Sequence, residues 1–419
     1  MKIHRLISLP PAMVPRFHDL EKKDPKEWFC DADPAGKKVG SGGGTAHLLA
    51  SAWRAEGAGG SLEEWLPLEK RMVIHSGGES RRLPAYAACG KSLLPLPVFR
   101  WAKGQYLDQK LLDLQAEFYE RILKRAPDSY CTLVGSGDVL FISKDRFNGL
   151  PEADVLLFGI WVEDEVASRH GVFFSRREEP ENLAFVRQKP DPEELRDLSR
   201  DYFYLMDSGI VLLGEKATRL LMQKSGWKKE EADFDGGRAA SYDLYGEMLT
   251  AFGSEAEDTD PALTDLSVKL VALHEGEFYH FGSNADLLES TLKIQNRVTD
   301  QRLRYTRESD HHPSIFQQNA EVGLRFSEQH ESIWIENSHV PSGWMLHHHH
   351  VLTGIPENNW ELEIPPRICL DVVHLAGGAY CLRPYGFSDP FRGSPDGGET
   401  WMEQPVKDWL AARGVDAGK

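Results

Sequence analysis

Apolar residues stand at helical spacing at Leu48, Leu49, Ala52 and Trp53, behind a run of glycines at Gly40, Gly42, Gly43 and Gly44. That order predicts a glycine-rich turn opening a helix. Arg71 to His75 is a short apolar run of strand length, and Leu111 to Leu123 returns to helical spacing. Further strands are predicted at Tyr130–Val134, Val155–Trp161 and Met206–Leu213. Short strands alternating with helices over residues 39–290 predict an α/β unit on a mostly parallel sheet.

Beyond a helical stretch at Leu287–Thr299 the pattern changes. From Ile315 to Val373 short β-prone runs follow closely, at Ser332–Ile335, Gly343–Leu346, His350–Leu352 and Gly354–Ile355, with His, Asn and Gly at the corners. Strands at close intervals without helices between them predict a parallel β-helix or a similar β stack. In this context Trp334, Trp344 and Trp360 are read as packing between β layers. The run His347 to His350 is read as structural, with side chains alternating between two faces of a strand. Pro384 to Lys419 is rich in Gly, Pro and Asp, with a short helix predicted over Met402–Leu410.

Composition narrows the function. With 48 Lys plus Arg against 65 Asp plus Glu the formal charge is −17, which disfavours nonspecific binding to nucleic acid or an anionic membrane. Five scattered cysteines without a C-x-x-C pair read as reduced thiols of a cytoplasmic protein. No apolar run reaches the roughly 18–20 residues that span a bilayer. An anionic ligand must therefore be held by local groups.

Ile74 to Pro84 reads Ile-His-Ser-Gly-Gly-Glu-Ser-Arg-Arg-Leu-Pro, followed by Lys91 and Pro95. Glycines directly after a strand let backbone N–H groups approach a phosphate, and the arginines and lysine supply neutralising charge. Neither a Walker loop nor the G-x-G-x-x-G fingerprint occurs. Asp138 stands in a Ser-Gly-Asp turn after a predicted strand, which by itself reads as a turn aspartate.

The stretch from Gly77 to Pro84 with Lys91 and Pro95 resembles the G-G-x-G-T-R-L-x-P…K-P signature of sugar-phosphate nucleotidyltransferases, with Ser80 in place of the third glycine. Val39–Thr45, His75–Pro84 and Ser136–Val139 resemble the fucose-1-phosphate guanylyltransferases, most closely the N-terminal portion of bacterial bifunctional L-fucokinase/GDP-fucose pyrophosphorylases. The likeness extends through Phe185–Pro190, Asp243–Tyr245, Gly276–Gly282, Ile335–His339 and Arg383–Gly386.

The resemblance implies a Rossmann-like nucleotidyltransferase domain over residues 1–300, a parallel β-helix domain over 301–386, and a connecting segment over 387–419 leading toward a C-terminal fucokinase domain. It implies transfer from GTP to L-fucose 1-phosphate, giving GDP-L-fucose and pyrophosphate, with Mg²⁺ as cofactor and Asp138 as its ligand. Arg82 and Lys91 would act on the triphosphate. Gly42, Gly43, Gly44, Thr45, Gly77, Gly78, Ser80 and Arg81 would bind the nucleotide. Gln188, Lys189, Asp207, Gly209 and His280 would bind the sugar phosphate. His280 stands where many relatives carry a second metal-binding aspartate, so Asp243 is the alternative acid there. Another nucleotide or sugar 1-phosphate, or a noncatalytic sugar-nucleotide scaffold, remains open from the sequence, as does a homo-oligomer.

Overall fold

A computed structural model describes residues 2–36, 38–57, 59–96, 109–257, 259–296, 314–394 and 397–416. The chain divides into two compact units, one of Met1–Gly78 and Leu112–Phe278, the other of Glu79–Leu111 and Tyr279–Lys419. The division therefore falls inside the glycine-arginine signature, between Gly78 and Glu79.

The first unit is built on a nine-stranded sheet. Its main path runs Val268–Ala272, Val155–Ile160, Tyr202–Gly214, Tyr130–Ser136, Lys70–His75, Ile3–Ser8, Trp28–Asp31. Four of the six pairings on this path are parallel, and the 13-residue strand Tyr202–Gly214 runs antiparallel to both neighbours. Gly171–Arg176 and Phe185–Gln188 extend the sheet off this path. The central strands Lys70–His75, Tyr130–Ser136 and Val155–Ile160 are buried almost throughout, as near-continuous apolar runs covered on both faces must be. Leu48, Leu49 and Ala52 of the helix Gly40–Glu56 are buried in the same core as Leu6, Val73 and Val134. Each buried leucine or valine there contributes about 1.5–3 kcal/mol by leaving water.

The second unit carries a five-stranded ladder: Ile315–Gln318, Ile333–Glu336, His350–Thr353, Ile368–His374 and, antiparallel at one edge, Tyr380–Gly386. The first four run parallel, with Ile315 beside Ile333, Ile333 beside His350, and Leu352 beside Leu370. Left-handed corner residues recur at the same interval, Asn319 at φ +48°, Asn337 at +47° and Gly354 at +70°, and Asn319 Nδ2 donates to Asn337 Oδ1 at 2.7 Å. Asparagine and glycine tolerate that conformation best. Ile333, Ile335, Trp344, Leu352 and Leu370 fill the interior with Trp360 packed against them, and Trp334 lies 5.8 Å from Phe316, so the three tryptophans serve packing. After the ladder, Asp389 is 2% exposed and accepts from Gly386 N, Thr400 Oγ1, Met402 N and Glu403 N, folding the last described stretch, with its helix Val406–Ala411, into the unit. Among the described residues no helix is long and apolar enough to cross a membrane.

Two local expectations are corrected. The glycine run is not a loop before a helix, because the helix itself begins at Gly40. The histidines do not alternate along a strand either. The strand starts only at His350, and His349 sits in a left-handed turn at φ +60°. His350 is fully buried, with Nδ1 donating to Ile368 O at 2.7 Å and Nε2 accepting from His347 N at 2.9 Å. That tautomer satisfies both ring nitrogens and gives the run a structural role.

Candidate active site

In the first unit three parallel strands end level with one another, Ser8 beside His75 and His75 beside Ser136. From Ile3–Ser8 the chain crosses to one side, to Trp28–Asp31, and then returns to the other, to Lys70–His75. Such a reversal leaves a crevice at the carboxyl ends of the strands, where open α/β sheets bind ligands. Gly77 and Gly78 lie there. Gly77 N donates to Ser8 Oγ at 3.3 Å, and a Cβ on Gly77 would stand 3.3 Å from that oxygen and 3.4 Å from Leu9 O. Gly78 is exposed, and a Cβ on it would meet nothing within 4 Å.

The first turns of the helix Gly40–Glu56 face two different partners. A Cβ on Gly43 would sit 2.5 Å from Ala240 O, and one on Gly42 would sit 2.9 Å from Tyr242 O. Gly43 N donates to Tyr242 O at 3.0 Å, and Ser41 Oγ donates to Asp243 Oδ1 at 2.5 Å. These two glycines thus admit the segment 240–243 against the helix. Gly44 faces the strand ends instead, where a Cβ would lie 3.3 Å from both Asp33 Oδ1 and His75 Cε1. Thr45 Oγ1 donates to Ser41 O at 2.8 Å, so its 2.8 Å contact with His75 Nε2 requires the proton on that nitrogen. Burial lowers the His75 pKa against the opposing charge of Asp33, keeping the ring neutral near pH 7.

A polar cluster lies at the end of the neighbouring strands. Asp138 Oδ1 accepts from Ser136 Oγ at 2.7 Å. Asp207 Oδ1 accepts from Gly209 N at 2.7 Å, with Gly209 in the left-handed region at φ +73°. Loss of hydration pushes the Asp207 carboxyl up to about 7 in spite of that bond. Tyr245 OH donates to Gly209 O at 2.8 Å, and Gln188 Nε2 donates to Tyr245 O at 3.0 Å. Burial raises the Tyr245 phenol well above its ordinary range, and the charges of Asp207, Asp243 and Asp138 push the same way. Lys189 is left-handed at φ +52° and donates its N–H to His170 O at 3.0 Å. The cluster therefore gathers Asp138, Gln188, Asp207 and Gly209 around a tyrosine.

Sequence reasoning missed two supports of this cluster. A Cβ on Gly171 would lie 3.2 Å from Gln188 Nε2 and 3.3 Å from Asp207 Oδ2, so Gly171 keeps both side chains unobstructed. Tyr119 OH donates to Ser136 O at 3.2 Å, and its ring occupies the place of a Cβ on Gly135. Asp243 caps the turn Leu244–Met248, accepting from Tyr245 N at 3.2 Å as well as from Ser41. It thereby positions Tyr245.

The second unit holds the remaining candidates. Ser80 is 8% exposed at φ +49°, a conformation the usual glycine of that signature adopts more readily. Arg81 Nε lies 2.5 Å from Glu79 Oε2, engaging its charge locally. Arg82 O accepts from Asn284 N at 3.0 Å, and Lys91 Nζ donates to Gly282 O at 3.0 Å. His280 Nδ1 is 3.2 Å from Asp286 Oδ2, which also accepts from Ser283 Oγ at 2.7 Å. Burial opposes ionisation of Asp286, yet the bonds from His280 and Ser283 and the charge of Arg82 hold its pKa below the ordinary value. Gly282 is required because a Cβ there would strike the His280 ring at 2.1 Å. Asp286 lay in none of the segments singled out from the sequence.

Residues 68–259 match the model of the fucose pyrophosphorylase domain. Over that span the chain is similar to the fucose pyrophosphorylase family. It is 43% identical over 414 residues to an L-fucokinase/L-fucose-1-P guanylyltransferase of Bacteroides fragilis, covering 99% of this chain and 43% of that protein. A bifunctional fucokinase/GDP-fucose pyrophosphorylase of Arabidopsis thaliana is 24% identical over 61% of this chain and 28% of its own length. A fucose-1-phosphate guanylyltransferase of Homo sapiens is 25% identical over 62% of this chain and 49% of its own length. The chain thus spans less than half the length of these relatives. Within the matched span fall Gly77 through Lys91, Asp138, Gln188, Lys189, Asp207 and Gly209, whereas Gly42–Thr45 and His280 lie outside it.

Proposed function

We propose that the chain transfers a guanylyl group from GTP to L-fucose 1-phosphate, forming GDP-L-fucose and pyrophosphate. The observation that carries this reading is the 43% identity across almost the whole chain with a relative named for that guanylyltransferase activity. A phosphate oxygen of the sugar phosphate attacks the α-phosphorus in line, and the bond from that phosphorus to the bridging oxygen of the β-phosphate breaks. The protein contributes positioning and charge, with no covalent intermediate. Gly77 and Gly78 let the main chain pass close to the phosphates, Arg82 and Lys91 neutralise charge as pyrophosphate departs, and Gly44 and Thr45 border the nucleotide. Gln188, Lys189, Asp207 and Gly209 hold the sugar phosphate, and His280 bonds a phosphate or hydroxyl oxygen.

Magnesium fits the donors of the first unit. Asp138 and Ser136 offer hard oxygens, and among the described residues no group of three or more His, Cys, Asp or Glu is arranged to hold a metal. A Mg²⁺ ion bound through one carboxylate, phosphates and water needs no such cage. When bound, it would supply charge neutralisation at the phosphates. We further read the ladder, with its interval of 17–18 residues from Ile315 to Ile333 to His350, as successive coils of a parallel β-helix. The five free cysteines among the described residues suit a cytoplasmic setting. A fucokinase domain that supplies the sugar phosphate is the expected companion, following the double names of two relatives.

Pyrophosphate release tests the reading. GTP with L-fucose 1-phosphate should release it faster than ATP or UTP, and faster than with mannose 1-phosphate. Preference for another pair would change the substrate, and no release with any pair would leave a binding scaffold.

A further inference from the structure

The segment joining Arg82 to Lys91 is tied to the β ladder by side chains beyond the span of the matched domain. Tyr86, 4% exposed, ends the short turn Pro84–Tyr86, and its hydroxyl donates to Glu336 Oε2 at the end of the strand Ile333–Glu336. Trp334 Nε1 donates to the same oxygen at 3.2 Å, and Asn337 Nδ2 donates to Oε1 at 3.1 Å. None of these donors is a cation, although Glu336 is 9% exposed and its burial raises the carboxyl pKa. An apolar pair would fill the same space at lower desolvation cost, so this arrangement favours one geometry over maximal stability.

The main chain carries the constraint onward. Tyr86 O accepts from Gly90 N at 2.9 Å. Gly90 stands at φ +91°, where a side chain would be strained. The next residue is Lys91, whose ammonium donates to Gly282 O. A shift of the Tyr86 ring must therefore move the turn that aims Lys91.

We infer that Glu336 is a positioning residue: through the Tyr86 hydroxyl, the ladder fixes the turn that places Lys91. The consequence for turnover rests on the guanylyltransferase reading, whereas the mechanical link does not. The test uses the 419-residue chain with Tyr86→Phe, Glu336→Gln and Glu336→Ala. Hydrogen exchange is followed in peptides covering residues 84–94, beside steady-state kinetics with GTP and L-fucose 1-phosphate.

Tyr86→Phe and Glu336→Ala should speed exchange in that segment by roughly tenfold, as expected for loss of a buried hydrogen bond. They should lower kcat by about tenfold while moving KM for GTP less than about twofold. Glu336→Gln keeps an acceptor oxygen for Tyr86 and should retain at least about a third of kcat. Unchanged exchange over residues 84–94 overturns the link, and faster exchange with unchanged kcat overturns the positioning role. A fall in melting temperature with neither change assigns Glu336 to stability alone and also overturns it. If the unmodified chain turns over no substrate pair, the guanylyltransferase reading fails and the exchange result decides whether Glu336 holds the turn.

Discussion

Replacing Gly43 by alanine separates a packing glycine from a phosphate-binding one. The new Cβ would lie 2.5 Å from Ala240 O and 3.0 Å from Val39 Cβ, so backbone must move. Overpacking of this kind costs about 1–3 kcal/mol, and displacement of Tyr242 O from Gly43 N adds about 1 kcal/mol. Removing a helical glycine returns about 1 kcal/mol. The net loss is about 1–3 kcal/mol, or roughly 2–10 °C in Tm for a body of this size. Gly44→Ala is the control: its nearest neighbours are side-chain atoms of Asp33 and His75 at 3.3 Å, so Tm should move less than about 2 °C. Thermal and urea unfolding followed by circular dichroism, with KM for GTP measured alongside, gives the answer. If Gly43→Ala left Tm unchanged and raised KM for GTP, the packing argument would be refuted and the run would be a nucleotide loop after all.

Asp207, with its carboxyl pushed up to about 7, is protonated below that pH and a hydrogen-bond acceptor above it. KM for L-fucose 1-phosphate should therefore fall as pH rises through 7, and Asp207→Asn should remove that part of the profile; superimposable profiles would contradict a sugar contact. His350, held at about 4 by burial, is neutral when folded but binds a proton near 6.5 when unfolded. Its contribution is complete above 6.5 and is lost as pH falls to 4, by about 3 kcal/mol. In His350→Asn the acid limb of stability should be shallower in a pH series of urea melts, and an equally steep limb would count against this assignment. Lys91→Ala should lower kcat more than it weakens GTP binding, since the charge acts as pyrophosphate leaves. A loss confined to KM, seen in initial-rate kinetics, would reassign Lys91 to ground-state binding.

The alternation of apolar runs made the core strands readable: Arg71–His75, Tyr130–Val134 and Val155–Trp161 all lie within or within one residue of observed strands. Pairing direction was not readable, because the antiparallel course of Tyr202–Gly214 depends on its neighbours in the sheet rather than on its own composition. Glycine was the misleading signal. The same residue type stands with side-chain space around it at Gly78, admits a crossing segment at Gly43 and spares the His280 ring at Gly282. Only tertiary contacts distinguish these uses. Tyr245 and Glu336 lie in segments the sequence singled out, but their bonds to Gly209 and Tyr86 join positions far apart in the chain, so spacing alone did not assign their roles. The boundary at Gly78 and Glu79 lies within one continuous motif, where composition does not change.

Guanylyl transfer by this chain is read in a single ³¹P NMR time course on the purified protein with GTP, L-fucose 1-phosphate and Mg²⁺. The triphosphate and sugar-phosphate signals should fall with matched growth of GDP-L-fucose and pyrophosphate. Persistence of both substrates, or release of inorganic phosphate without a sugar nucleotide, would contradict it.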